Sequence, residues 1–333
     1  MKKVRISFIA AGRMANSMAT QLKTLEQVEL AGVYDPLQDR CADFARKYGF
    51  QKSCSSCEEV LSDKSVDGIV ICNYCPQHCE TILAALSAGF RSIFCEKPAI
   101  RQVTEAVRLR EAVAKAGANV MIGHHRKHIP ACIRLKEMID AGRLGKIRFA
   151  KVNFCNSWYS RDWDDYFASY EKSGGTTLDM VTHYVDLLNW YFGEAESTSA
   201  RAVMLERTLP KDVQPCDYVN ATLAYRNGVI CGIESSYQRY GVSYDTMEIY
   251  GDQYAAVTDY RNTLKLYNKE ETIEVKVGFE KIGSEQLQQA KTFVSMIEDG
   301  RPRQTTLEEG LAAARVGLGM LESCERGGEL IQF

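Results

Sequence analysis

The chain is expected to fold as an α/β protein in two parts. The first is a doubly wound parallel sheet, and the second is an α+β domain built on a large mixed or antiparallel open sheet. Three observations predict this. Short β-branched runs alternate with amphipathic stretches up to about residue 122, and such alternation yields parallel strands joined by right-handed crossovers. From residue 197 to about 277, strand-like runs follow one another without helices between them, which is the pattern of an antiparallel or mixed sheet. The length, 333 residues, is about twice that of a usual single domain. The boundaries read as 1–123 and 124–333, with a C-terminal helix free to pack back on the first domain.

Taken in order, Val4 to Ile9, Val28 to Tyr34, Ile69 to Cys72, Ile93 to Cys95 and Val120 to Ile122 are strand candidates, each too short for a buried helix. Helices between them stop at glycine: Gln77 to Ala88 before Gly89, and Val103 to Ala116 before Gly117, where a left-handed residue ends the last turn. Past Gly123, a helix from Pro130 to Ala141 closes at Gly142, a strand runs from Lys146 to Asn156, and a helix follows Gly174-Gly175. Tyr218 to Tyr225 and Val229 to Tyr237 flank Arg226-Asn227-Gly228, a strong hairpin signal. Thr246 to Tyr250 and Ala255 to Tyr260 continue the sheet, and helices from Ser284 and Thr306 end the chain.

Composition narrows the function. With 45% hydrophobic and 25% charged residues the chain is neither disordered nor a disulfide scaffold. A net charge of −2 is too balanced for holding nucleic acid or an anionic membrane by bulk electrostatics. The basic excess falls in the first 150 residues and the acidic excess in the rest, which favours an anionic ligand in the first half. Twelve cysteines are too dilute for a disulfide framework and sit in apolar runs, which suits a reducing cytoplasm. The apolar N-terminus is interrupted by Arg5 and Arg13, unlike a signal peptide, and no apolar run approaches membrane-spanning length.

The first strand runs into Ala10-Ala11-Gly12-Arg13-Met14-Ala15 and then a helix. Small residues at such a turn let backbone N–H groups approach a pyrophosphate at the helix N-terminus, as in dinucleotide-binding Rossmann domains. The second strand ends at Tyr34-Asp35, where a carboxylate would accept from an adenosine ribose and repel a 2′-phosphate. An ordinary strand-turn-helix followed by an Asp-Pro turn accounts for the same residues. Glu96-Lys97-Pro98 lies just past the Ile93 strand, on the side where parallel sheets bind ligands, although a solvated loop lysine is the plainer reading. Asp179 and His183, four apart on a helix, share a face. A carboxylate beside an imidazole orients it and raises its basicity, as a general base needs, and a surface Asp-His pair is the alternative.

In sequence order, the chain carries a glycine-bearing first turn, a fourth strand leading to His78, Ala85-Leu86-Ser87-Ala88-Gly89, Glu96-Lys97-Pro98, and Gly174-Gly175 followed by Asp179 and His183. This ordered set resembles the Gfo/Idh/MocA family of glucose-fructose oxidoreductase and inositol dehydrogenase relatives over essentially the whole chain. The resemblance implies an NAD-dependent dehydrogenase, NADP being the lesser alternative, acting on a sugar, polyol or related hydroxyl compound. It further implies Lys97, Asp179 and His183 as catalytic residues and Ala10, Gly12, Arg13, Met14, Asp35, Asn73, His78, Glu96 and Lys97 around the cofactor. Lys127, Trp158, Trp163 and His183 are expected at the substrate, and a homodimer or homotetramer through the C-terminal sheet. Asn73-Tyr74 replaces the family's usual Thr-Pro, and Lys127-His128 its usual Arg-aromatic. A redox-neutral enzyme around tightly held NAD, or a non-catalytic cofactor-binding regulator, would share these features, the regulator having no need of Lys97, Asp179 and His183.

No metal is expected. Cys54-x-x-Cys57 and Cys72-x-x-Cys75 mimic zinc spacing. A 3-2-1-4-5-6 sheet, however, holds the ends of the third and fourth strands roughly 14 Å apart, against about 2.3 Å for a zinc–sulfur bond. His124-His125-x-x-His128 precedes the helix at Pro130 and does not share one helical face.

Overall fold

The computed structural model describes residues 3–155, 170–203, 218–237, 244–260, 263–278 and 283–333. The chain divides into two units: Met1–His125 with Gly283–Leu311, and Arg126–Ile282 with Ala312–Phe333.

In the first unit β1 (Val4–Ile9), β2 (Val28–Tyr34), β3 (Lys52–Cys54), β4 (Gly68–Ile71), β5 (Ser92–Cys95) and β6 (Asn119–Ile122) form a six-stranded sheet in the order β3-β2-β1-β4-β5-β6. All its pairings are parallel. The crossovers carry α1 (Arg13–Leu22), α2 (Gln38–Tyr48), α3 (Cys57–Ser62), α4 (His78–Ser87) and α5 (Val103–Ala116). Local chemistry fixes their ends. The Ser56 side chain accepts from Glu59 N at the start of α3, Gln102 and Glu105 form a capping box on α5, and Gly49 and Gly117 end α2 and α5 in the left-handed conformation. β1 and β4 lie side by side where the strand order reverses, and the crevice at their C-terminal ends is where such sheets take ligands.

The second unit contains α6 (Pro130–Asp140), a turn of helix α7 (Tyr170–Ser173) and α8 (Thr182–Phe192). Its strands are β7 (Ile147–Cys155), β8 (Ala195–Val203), β9 (Tyr218–Tyr225), β10 (Ile230–Ser236), β11 (Tyr244–Gly251), β12 (Ala255–Thr258), β13 (Leu264–Tyr267), β14 (Thr272–Glu274) and β15 (Ile331–Gln332). They form one sheet in the order β14-β13-β12-β11-β7-β10-β9-β8-β15. The sheet is mixed because β7 runs parallel to β10, while its other pairings are antiparallel. The expected β9/β10 hairpin turns at Gly228, which sits at φ 86° with its N–H on the Tyr225 carbonyl. Ala150, Val152 and Phe154 on one face of β7 share a core with Leu135, Met138, Val185 and Leu188 from the helices.

The last helices are α9 (Ser284–Asp299) and α10 (Leu307–Glu325). α9 returns to the first unit, with Ala290, Phe293, Val294 and Met296 in the core that holds Ile6, Phe8 and Phe94, and the Phe94 and Phe293 rings 5.8 Å apart. Gly68 at the start of β4 allows this, because a Cβ there would meet Ile297 Cδ1 at 2.6 Å.

Candidate active site

At the end of β1, Ala10 adopts φ 83°, a left-handed backbone that costs a non-glycine residue about 1–2 kcal/mol. It is held there by its N–H on the Tyr34 carbonyl, 2.7 Å away. Gly12, by contrast, is extended at φ −81°, and a Cβ on it would meet nothing within 4 Å. Neither backbone nor packing demands a glycine at that point, so what it leaves is open space before the N-terminus of α1. The first turn of α1 holds no acidic side chain, and its orphan N–H groups and helix dipole favour an anion. Arg13 is exposed and Met14 half-buried at this mouth. The residues present fit a dinucleotide pyrophosphate.

Asp35 follows β2 as expected, but the structure corrects the picture of a carboxylate turned to a ligand. Asp35 is 0% exposed; its Oδ2 accepts from Ala11 N at 2.8 Å, and its Oδ1 accepts from Leu37 N at 2.9 Å and from Arg40 at 2.7 Å. Asp35 therefore shapes the turn that carries Gly12, while the half-exposed Arg40 guanidinium forms the outer edge.

Past β4 and β5 the expected residues gather. Asn73 donates to Thr81 Oγ1 at 2.8 Å. Glu96 is buried with its carboxylate against Gly123, where an added Cβ would lie 2.8 Å from Oε2, and it accepts from Lys97 N at 3.3 Å. Lys97 is partly exposed. His78, expected at the cofactor, is 1% exposed, with Nδ1 2.8 Å from the Pro98 carbonyl and Nε2 3.0 Å from the Asn73 carbonyl. Its polar atoms are spent on backbone, so that expectation is corrected too. Burial is also the main force lowering its pKa.

In the second unit, Gly174 and Gly175 take positive φ of 80° and 66° and lead into a π-helical turn, Thr177–Val181, before α8. π-turns widen a helix and recur at functional sites. Asp179 and His183 are 3% and 4% exposed. The Tyr237 hydroxyl, from the end of β10, donates a short hydrogen bond to Asp179 Oδ2. Sequence reading missed Tyr237, since no spacing rule links residues 58 apart.

Lys127 is 1% exposed, its ammonium 2.9 Å from Asp186 Oδ1 on α8 and thus one turn from His183. The structure corrects the view of Lys127 as a side chain presented to substrate, because its charge is committed inside the protein. Beside it, Arg126 lies over the Tyr184 and Tyr260 rings, 4.2 and 4.7 Å from their centroids, and pairs with Asp245 at 3.0 Å. Burial opposes the Arg126 charge most strongly, but Asp245, Tyr184 and Tyr260 together outweigh it and hold the guanidinium pKa above its ordinary value. His128 is pushed down to about 4 by burial and then by Lys127. Trp158 and Trp163 lie outside the described residues. So do Tyr159 and Arg161 from the same segment.

Burial raises the Cys57 thiol to about 11 and the Cys72 thiol well above its ordinary value. Among the described residues, no cluster of three or more His, Cys, Asp or Glu could hold an ion.

Residues 4–124 match the model of an oxidoreductase family with an NAD-binding Rossmann fold, and residues 132–257 match the C-terminal domain of the same family. The chain is 26% identical to a myo-inositol 2-dehydrogenase of Thermotoga maritima over 97% of its length and 96% of that protein. It is 30% identical to a glucose-6-phosphate 3-dehydrogenase of Bacillus subtilis over 71% of this chain and 68% of the other. A levoglucosan dehydrogenase solved in complex with NADH shares the fold, with a TM-score of 0.91 at 20% identity over 99% of each chain. No helix among the described residues is long and apolar enough to cross a membrane. The two models of one family together match well over half of the chain, which belongs to the Gfo/Idh/MocA oxidoreductases.

Proposed function

We propose that the protein is an NAD-dependent dehydrogenase acting on a CH–OH group of a sugar, polyol or related hydroxyl compound. One observation carries this reading: a carboxylate and an imidazole, Asp179 and His183, are buried four residues apart on the widened helix of a chain whose other unit is built for a dinucleotide. Burying such groups costs stability unless they are hydrogen-bonded, as Asp179 is by Tyr237. The relatives named as inositol and glucose-6-phosphate dehydrogenases support the substrate class.

Ala10, Gly12, Arg13 and Met14 would cradle the pyrophosphate, Asp35 and Arg40 border the adenosine ribose, and Asn73 and Glu96 flank the nicotinamide end. When bound, NAD supplies a hydride acceptor. In this scheme His183 accepts the hydroxyl proton on a ring nitrogen, and Asp179, steadied by Tyr237, orients the ring and stabilises its protonated form. Lys97 Nζ donates a hydrogen bond to the reacting oxygen, and its charge favours alkoxide character there. The Lys127–Asp186 pair anchors α8 one turn beyond His183.

Oligomers would form through the nine-stranded sheet. The face opposite its helices carries a cross-strand row of Tyr267, Ala255, Tyr250, Phe149 and Ile230, with Phe149 and Ile230 43% and 53% exposed. Such a patch suits a protein partner, here a second copy of the chain. The described cysteines are all free thiols, which suits the cytoplasm.

The test is a panel of sugars and polyols assayed for NAD reduction, with a parallel assay for copurified cofactor. Turnover by at least one polyhydroxy compound is expected. Failure of the whole panel refutes the reading, and turnover without net NADH, around retained NAD, converts it to the redox-neutral alternative.

A further inference from the structure

α4 begins at His78, in the crevice between the β4 and β5 ends. Its ring lies between both loops leaving those strands, with Nδ1 2.8 Å from the carbonyl of Pro98, directly after Lys97, and Nε2 3.0 Å from that of Asn73, two residues past β4; the neutral ring carries one N–H and donates to one of the two, the shorter Pro98 contact being the better placed. Cys75 Sγ lies 3.7 Å from the same Pro98 oxygen. Asn73 is tied back to the helix through Thr81, whose hydroxyl donates to the Gln77 carbonyl. The imidazole is 1% exposed and offers no atom to solvent or ligand. A buried carbonyl left without a donor costs as much as a lost hydrogen bond, so the ring has a structural reason to stay where it is, and the Pro98 carbonyl beside it belongs to the residue that follows Lys97.

We propose that His78 is a positioning residue for Lys97: it ties the Lys97-Pro98 segment to the Asn73 loop and thereby sets where the Lys97 ammonium stands at the crevice. This rests on the assignment of Lys97 to the reacting oxygen. A contact group would bind NAD directly. A clamp leaves NAD affinity nearly intact and acts on turnover, because small misplacements of a reacting group cost rate.

Three measurements on the full-length protein test this. In His78→Phe, similar in size and without ring donors, kcat on the substrate found by the panel should fall on the order of 10- to 100-fold, while the Kd for NAD by calorimetry stays within about threefold. His78→Gln, whose amide N–H can replace the ring N–H as donor to the Pro98 carbonyl, should recover much of the loss. Long-range 1H–15N spectra of the unaltered protein should show one histidine, absent in His78→Gln, with a ring N–H protected from solvent exchange. Parallel loss of NAD affinity and kcat would make His78 a cofactor contact, and unchanged kcat in His78→Phe would remove the positioning role. Should His78→Phe not fold, a freely exchanging His78 ring overturns the clamp by itself. The spectra and calorimetry need no substrate, so a failed panel refutes the dehydrogenase reading without touching the clamp.

Discussion

Replacing Asp186 by Asn tests the buried ion pair one turn along α8 from His183. Lys127 and Asp186 are each 1% exposed and 2.9 Å apart. At an effective dielectric near 20, Coulomb attraction at that separation is about 6 kcal/mol, and the desolvation of two ions consumes most of it. The pair is therefore worth little net, but half of it is worse than none, since a lone buried ammonium has lost its compensation at a cost of about 3–5 kcal/mol. Asn keeps the shape and one acceptor, which places Asp186→Asn at about 3 kcal/mol. For a unit of this size that is a melting-point loss of roughly 6–12 °C. The double variant Lys127→Met/Asp186→Leu removes both charges at similar volume and should melt within a few degrees of the parent. Thermal melts and urea titrations of the parent and both variants make the comparison. Melting of Asp186→Asn within a degree of the parent, with a raised KM instead, would show that Lys127 is held for substrate and refute the structural pairing.

Other outcomes follow from the same contacts. Asp35→Ser frees Arg40 at the ribose edge, so calorimetry should show the NADP:NAD affinity ratio rising about tenfold or more from a parent that prefers NAD; an unchanged ratio would place selection elsewhere. Tyr237→Phe removes the donor on Asp179 and should lower kcat by on the order of 10- to 100-fold at constant NAD affinity, the worth of a hydrogen bond to a charged group. An equal kcat would leave Tyr237 outside the machinery. His128, held near 4 when folded, stays neutral while the unfolded chain protonates at about 6.5. Its contribution is complete above about pH 6.5 and is lost as pH falls toward 4, about 3 kcal/mol in all. Urea midpoints of His128→Leu should fall less steeply over that window than the parent's, and parallel slopes would contradict the shift.

Five strands of the parallel sheet, the helices that stop at Gly89 and Gly117 and the Asn227-Gly228 hairpin were legible because strand and helix periods, glycine stops and turn residues are local properties; β3, three residues long, carried no such signal. So were the turn at Gly12 and the Asp179–His183 spacing, which a single helix brings together. The positions of Asp35, His78 and Lys127 were equally legible, but the way their polar atoms face was not. A strand-end carboxylate reads the same whether it meets a ribose or, as here, Ala11 N, Leu37 N and Arg40.

The sequence by itself determined the two fold classes, the small-residue turn after β1, and the spacing of Asp179 and His183 on one helix. Each of these depends on residues within one or two elements. The tertiary structure alone decided that α9 rejoins the first unit, that β7 runs parallel to β10, and that Lys127 meets Asp186, Tyr237 meets Asp179 and His78 meets the Asn73 and Pro98 carbonyls. The reason is physical. A buried polar atom must find a partner wherever the packed chain brings one, and across crossovers and sheet registers that partner lies at no fixed distance along the sequence.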